Sequence, residues 1–191
     1  HYVVNGLKDA TSDSPPGEIS QMVREQYYAW HARCWNQYCF GTEHEGFVSN
    51  PAWWTYEMYT ATAGLHRHLC DVWGIAKDRN HLVGHDQKSN ASWCTYAEAT
   101  FGIDAHCNTH SDPGQYWDWS FLMALINNTP YNRSQFISIV APGQVAPGEV
   151  FSASVTFRNT GNSTWSSPAY TLGSQNPQDN TRWGMSRVDL S

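Results

Sequence analysis

"FGTEHEGFVSNPAWWTYEMYTATAGLHRHLCDVWG", residues 40–74, changes its hydrophobic period partway along. Over residues 40–47 the period is two, which puts Gly41, Glu43, Glu45 and Phe47 on one side of a strand and Phe40, Thr42 and His44 on the other. From Asn50 the repeat lengthens. Asn50 reads as an N-cap, Pro51 suits the first helical position, and Trp54, Met58, Ala61, Leu65, Leu69 and Val72 recur at three- and four-residue steps up to a stop at Gly74. A strand that hands over to an amphipathic helix is the unit of an α/β fold.

Outward from this segment, "HYVV" (1–4) and "EISQMVRE" (18–25) read as the two strands of a hairpin with a long, Pro- and Gly-bearing tip. "HLVGHDQ" (81–87) reads as a short apolar strand ending in a Gly-His turn, and "YWDWSFLMALI" (116–126) as a second amphipathic helix. These elements define an α/β domain over residues 1–128, followed by a linker over 129–136. Residues 137–191 are a partial β domain, in which "VFSASVTFRN" alternates strictly and puts Phe151, Ala153, Val155 and Phe157 on one face. A β-sandwich needs ~100 residues and about seven strands, so the second domain reads as incomplete.

The balance of 11 Lys+Arg against 17 Asp+Glu gives a net charge of -6 with no basic cluster, which removes the electrostatic basis for binding nucleic acid. No apolar run reaches the ~18 residues that cross a bilayer, so the expectation is a soluble chain without membrane insertion. The first residue is His1, with no Met or signal-like segment before it, and the chain reads as a mature product or a fragment. Cys34/Cys39 and Cys94/Cys107 each close a local polar segment, so two disulfide bridges are expected, with Cys70 a buried free thiol. Such bridges imply an oxidising compartment, hence a secreted, extracellular or cell-wall-associated protein; five reduced thiols in the cytosol is the other reading.

Nine histidines raise the question of metal ligation. His66 and His68, two apart on a helix, point to different faces and read as solvated surface, and His81 as the start of a strand. His85 differs, because a turn at the end of a strand aims its imidazole out of the sheet rim, where sites in α/β proteins gather. Asp112, in Ser-Asp-Pro-Gly, reads from spacing alone as a turn or N-cap carboxylate as readily as a ligand.

"AWHA" (29–32), "GTEHEG" (41–46), "VGHDQ" (83–87) and "HSDPGQYWDW" (110–119) stand in the order seen in one family. Over residues 1–127 the chain resembles the zinc-dependent N-acetylmuramoyl-L-alanine amidases of the phage-lysozyme and peptidoglycan-recognition superfamily. The resemblance implies a mixed central sheet flanked by helices, Zn2+ as cofactor and peptidoglycan as substrate. It implies His85 and Asp112 as zinc ligands, Glu43 as catalytic base with Glu45 as runner-up, His110 as the group that steadies an oxyanion, and His31 as a histidine lining the substrate groove. The family's remaining ligand is a His on a strand that precedes "HYVV". Either that strand lies upstream of His1, which is the expectation, or His1 or His31 takes its place. The segment from Ala146 onward resembles the first half of an Ig-like module of secreted bacterial enzymes, which implies a spacer or binding role. The function so implied is zinc-dependent hydrolysis of the amide between N-acetylmuramic acid and L-alanine. The alternatives are a non-catalytic peptidoglycan receptor of the same fold, in which a ligand such as Asp112 would typically be absent, and an adhesion protein that works through the β module.

Overall fold

The computed structural model describes residues 1–7, 14–89, 91–104 and 110–190, in two compact units, 1–129 and 130–191. In the first unit, β1 (Tyr2–Val4) is central to a three-stranded sheet. It pairs antiparallel with β2 (Ile19–Gln21) and parallel with β3 (Thr42–His44), with Val3 opposite Ser20 and Glu43. The sheet is therefore mixed, as the expected hairpin and crossover require.

The long helix starts later than its period predicts. Asn50 caps only a 3-10 turn, Pro51–Trp53, its side chain accepting from the Ala52 amide at 3.1 Å. Trp54 leaves the helical region, Thr55 then caps through the Met58 amide at 3.1 Å, and α1 runs Tyr56–Trp73. Gly74 ends it in the left-handed conformation that the expected stop requires.

Two further corrections concern residues 81–104. "HLVG" pairs with no strand among the described residues; the chain turns there and enters a 3-10 helix, His85–Ser89. The polar segment expected to be a loop instead contains α2 (Ala91–Phe101), whose Trp93, Cys94 and Ala97 pack against Trp35, with the two indoles stacked at 4.4 Å. Its apolar residues at helical spacing and the Gly102 stop at φ 66° were the available signal. Cys39 carries a free thiol in place of the expected bridge to Cys34. Cys107, the other expected partner of Cys94, lies outside the described residues, as do Asn90 and His106.

α3 (Trp119–Asn127) follows, with Asp118 as N-cap and Asn128 as C-cap. Phe121, Leu122 and Ile126 meet Met58, Tyr59 and Ala63 of α1 in the main core, all buried. Arg67 of α1 donates to the carbonyls of Leu125 at 2.6 Å and Ile126 at 3.2 Å, supplying partners to orphan groups at the end of α3.

In the second unit, β4 (Ser134–Val140) pairs antiparallel with β5 (Ser154–Asn159), and β6 (Thr171–Gly173) with β7 (Arg187–Asp189). β4 begins inside the segment expected to be a linker. Every β4 residue is exposed, and the described strands of this unit form two two-stranded sheets.

Between the first sheet and α1 lie two histidines that the sequence reading placed otherwise or passed over. His44 Nε2 bonds the Thr62 hydroxyl at 2.8 Å, and His66 Nε2, expected at the surface, bonds the Thr42 hydroxyl at 3.1 Å. Burial pulls their pKa values down to about 3 and about 4. Both are neutral in the fold, whereas the unfolded chain protonates them near pH 6.5. Their contribution is thus fully present above pH 6.5 and is lost as pH falls toward the folded values, roughly 1–2 kcal/mol for each imidazole by pH 5. His85, whose pKa is raised, acts in the opposite sense over the same window. The expected outcome is a fall in thermal midpoint from pH 7.5 to 5 that His66→Gln makes shallower; equal slopes in the two proteins would contradict the assignment.

Candidate metal centre

Two turns meet at the centre. The first enters from Gly84 to His85; the second is Asp112-Pro113-Gly114, just before α3. A Cβ on Gly84 would lie 2.5 Å from Asp86 Oδ1, 2.7 Å from Pro113 Cδ and 3.2 Å from Trp119 Cζ2, so the turns approach this closely only because that residue has no side chain. The Asp86 amide donates to the Asp112 carbonyl at 2.9 Å and fixes their register.

Above this link the Asp112 carboxylate faces two imidazoles. Oδ2 is 3.1 Å from His85 Nδ1, and Oδ1 is 3.4 Å from His110 Nδ1. The two rings stack at 4.1 Å with an interplanar angle of 15°. One donor atom from each residue falls within 4.8 Å of the others. The hydrogen bond to His85 holds the Asp112 carboxyl below its ordinary range, and the same bond raises His85 against the effect of burial.

The donor set suits zinc. Zinc takes imidazole nitrogen and carboxylate oxygen at ~2.0–2.2 Å, and tetrahedral ligands of one ion then lie roughly 3.3 Å apart. The two short separations here bracket that spacing. Nδ1 of His85 faces the Asp112 carboxylate, while Nε2 is buried on the side of the ring away from it, where the His31 backbone acts on the imidazole.

The ring nitrogens of His1 and His31 already have partners within the fold. The Gly41 amide donates to His1 Nδ1 at 3.1 Å and His1 Nε2 bonds the Tyr27 carbonyl at 2.8 Å, which commits both nitrogens. His31 Nδ1 bonds the Ala29 carbonyl at 2.9 Å, and Nε2 lies 3.3 Å from the Cys39 sulfur. His110 is the third donor that the structure brings to the pair.

A cavity of about 630 Å³ opens over the centre, and His31 and Glu43 line it with His85, His110 and Asp112. Glu43 is exposed on β3 and acts electrostatically on His85. Glu45, two residues on, accepts from the Gly6 amide at 3.0 Å. Gly41 leaves room for the His31 ring, which a Cβ there would meet at 2.5 Å. Below, buried Trp117 packs on Tyr59 and His44, both at 4.6 Å. Gly84→Ala should part the two turns and lower zinc affinity at least tenfold with α-helical circular dichroism retained; unchanged affinity would show that the close approach is dispensable.

Residues 1–115 match the N-acetylmuramoyl-L-alanine amidase family. N-acetylmuramoyl-L-alanine amidase A of Achromobacter lyticus is 32% identical over 120 residues, which cover 58% of this chain and 63% of that protein. The chain thus spans less than two thirds of the length of this curated relative. No solved structure matches it significantly. With the family match over more than half its length and the His and Asp motifs meeting in one site, the chain belongs to the N-acetylmuramoyl-L-alanine amidase family.

Proposed function

We propose that the protein is a zinc-dependent amidase that hydrolyses the bond between the lactyl group of N-acetylmuramic acid and L-alanine in peptidoglycan. The observation that carries this reading is the Asp112 carboxylate set between His85 and His110 at the base of a cavity with Glu43 on its wall. An amide is a poor electrophile with a poor leaving group, so its hydrolysis needs a polarised carbonyl, an activated water and a protonated amine. Zinc, when held by His85 and Asp112, supplies Lewis acidity that polarises a carbonyl and acidifies water.

The protein's own groups do the rest. Glu43 takes a proton from the attacking water on a carboxylate oxygen and returns it to the departing nitrogen. Its exposure to the cavity suits that traffic, whereas Glu45 is tied to a backbone amide and holds the Gly6 turn. His110, beside Asp112, donates from its ring to the developing oxyanion. His31, fixed by Ala29 and Asn36, forms a neutral wall of the groove, since burial lowers its pKa.

A second role for His110 has a specific observation in its favour, because its Nδ1 belongs to the same cluster of donor atoms as His85 and Asp112. His110→Ala separates the two. Loss of bound zinc marks a ligand; intact zinc with a lower kcat marks an oxyanion donor.

Release of L-alanyl peptides from peptidoglycan by the zinc-loaded protein tests the function. Glu43→Gln should lower kcat by 10²-fold or more, the scale of a lost general base, with zinc content unchanged. Full activity in that variant would reject Glu43 as the base. Binding of peptidoglycan without any release by the wild type would identify a receptor instead.

A further inference from the structure

Arg79 lies in the connection between α1 and the His85 turn, in a stretch without a recognisable motif. One terminal guanidinium nitrogen donates to the Leu82 carbonyl, and the other donates to Gln87 Oε1 at 3.2 Å. A single side chain thereby brackets the turn that carries His85. The face of the same guanidinium lies 3.4 Å from the centroid of the Trp119 ring. Trp119 is the first residue of α3 and leans on Gly84, just beyond the turn that carries Asp112.

The edge of this one planar group thus holds the first ligand-bearing turn, and its face covers the segment that follows the second. Burial lowers the Arg79 pKa, and the nearby Asp86 carboxylate opposes that effect. Arginine stays charged in such a place, and a cation over an indole is worth more as water is excluded. Asp86 also supplies the amide bonded to Asp112, so the charge partner of Arg79 sits on the link between the turns.

We propose that Arg79 is a positioning residue that sets the separation of His85 from Asp112 by clamping, with one guanidinium, the His85 turn and the Trp119 ring that packs on Gly84 beside Pro113. The proposal rests on the metal-centre reading above. Lysine does not replace it, because an ammonium is a point charge without the flat fork that bonds at its edge and stacks on its face. A residue that merely added stability would shift the melting temperature and leave metal affinity alone.

The test compares wild type, Arg79→Lys and Arg79→Met as the full chain. Zinc affinity is measured by chelator competition, the visible spectrum after cobalt substitution, and hydrogen exchange of the Asp86 amide in metal-free protein. Both variants should bind zinc 10–100-fold more weakly, as loss of groups that orient metal ligands generally does, with altered cobalt bands and Asp86 exchange at least tenfold faster. Zinc affinity within twofold of wild type in both would overturn the proposal. Should Arg79→Met fail to fold, Arg79→Lys, which keeps the charge and the stem, carries the same comparison. Should the wild type bind no zinc, the metal-centre reading fails separately; Asp86 exchange then decides the clamp, faster exchange in Arg79→Lys upholding it and unchanged exchange overturning it.

Discussion

The hydrogen bond from the Asp86 amide to the Asp112 carbonyl is the contact on which the candidate centre depends. It joins two segments far apart in sequence, and it forms only where Gly84 lets Pro113 and Trp119 come near. The acid and the imidazole then fall within bonding distance without either side chain reaching far. Placing both candidate ligands on short turns that share one backbone bond makes their separation a property of the main chain, which is stiffer than a pair of rotamers.

Beneath the centre the fold gives up polar capacity to gain packing. His44 and His66 lie between sheet and helix as neutral rings, each bonded to a threonine, while His66 Nδ1 meets no partner among the described residues. Trp54 and Trp117 leave their indole nitrogens in the same condition. Such groups are expensive when buried, and their position under a cavity lined with His and carboxylate residues fits the expectation that unfavourable local choices collect beside functional sites.

Much of the first unit could be read from residue order alone. Pro51, Gly74 and the spacing from Met58 to Leu69 mark α1 because steric and hydrophobic periods act locally, although Trp54 interrupts the helix in a way that no period reveals. His85 stood out as the end of a strand that does not form, and Asp112 not at all, since a turn carboxylate and a ligand look alike in sequence; the order of four motifs is what pairs them. α2 was missed because Cys94 and Cys107 invited a reading as a closed loop, while Trp93 and Ala97 packed as one helix face. Arg79 stood out in no pattern, because its importance comes from what lies on three sides of it in space. In the β unit, strict alternation marked the stretch that forms β5, and the described strands there pair in twos.

Cys39 lines the groove over the candidate centre. Burial pushes its thiol up to about 12, which keeps it in the unreactive protonated form at neutral pH. The Asn36 side chain accepts from the amides of His31 and Ala32 at 3.0 and 2.7 Å and so fixes the chain where it borders the groove. Among the described residues, this amide oxygen and not the Cys39 sulfur holds the backbone of that wall at His31 and Ala32.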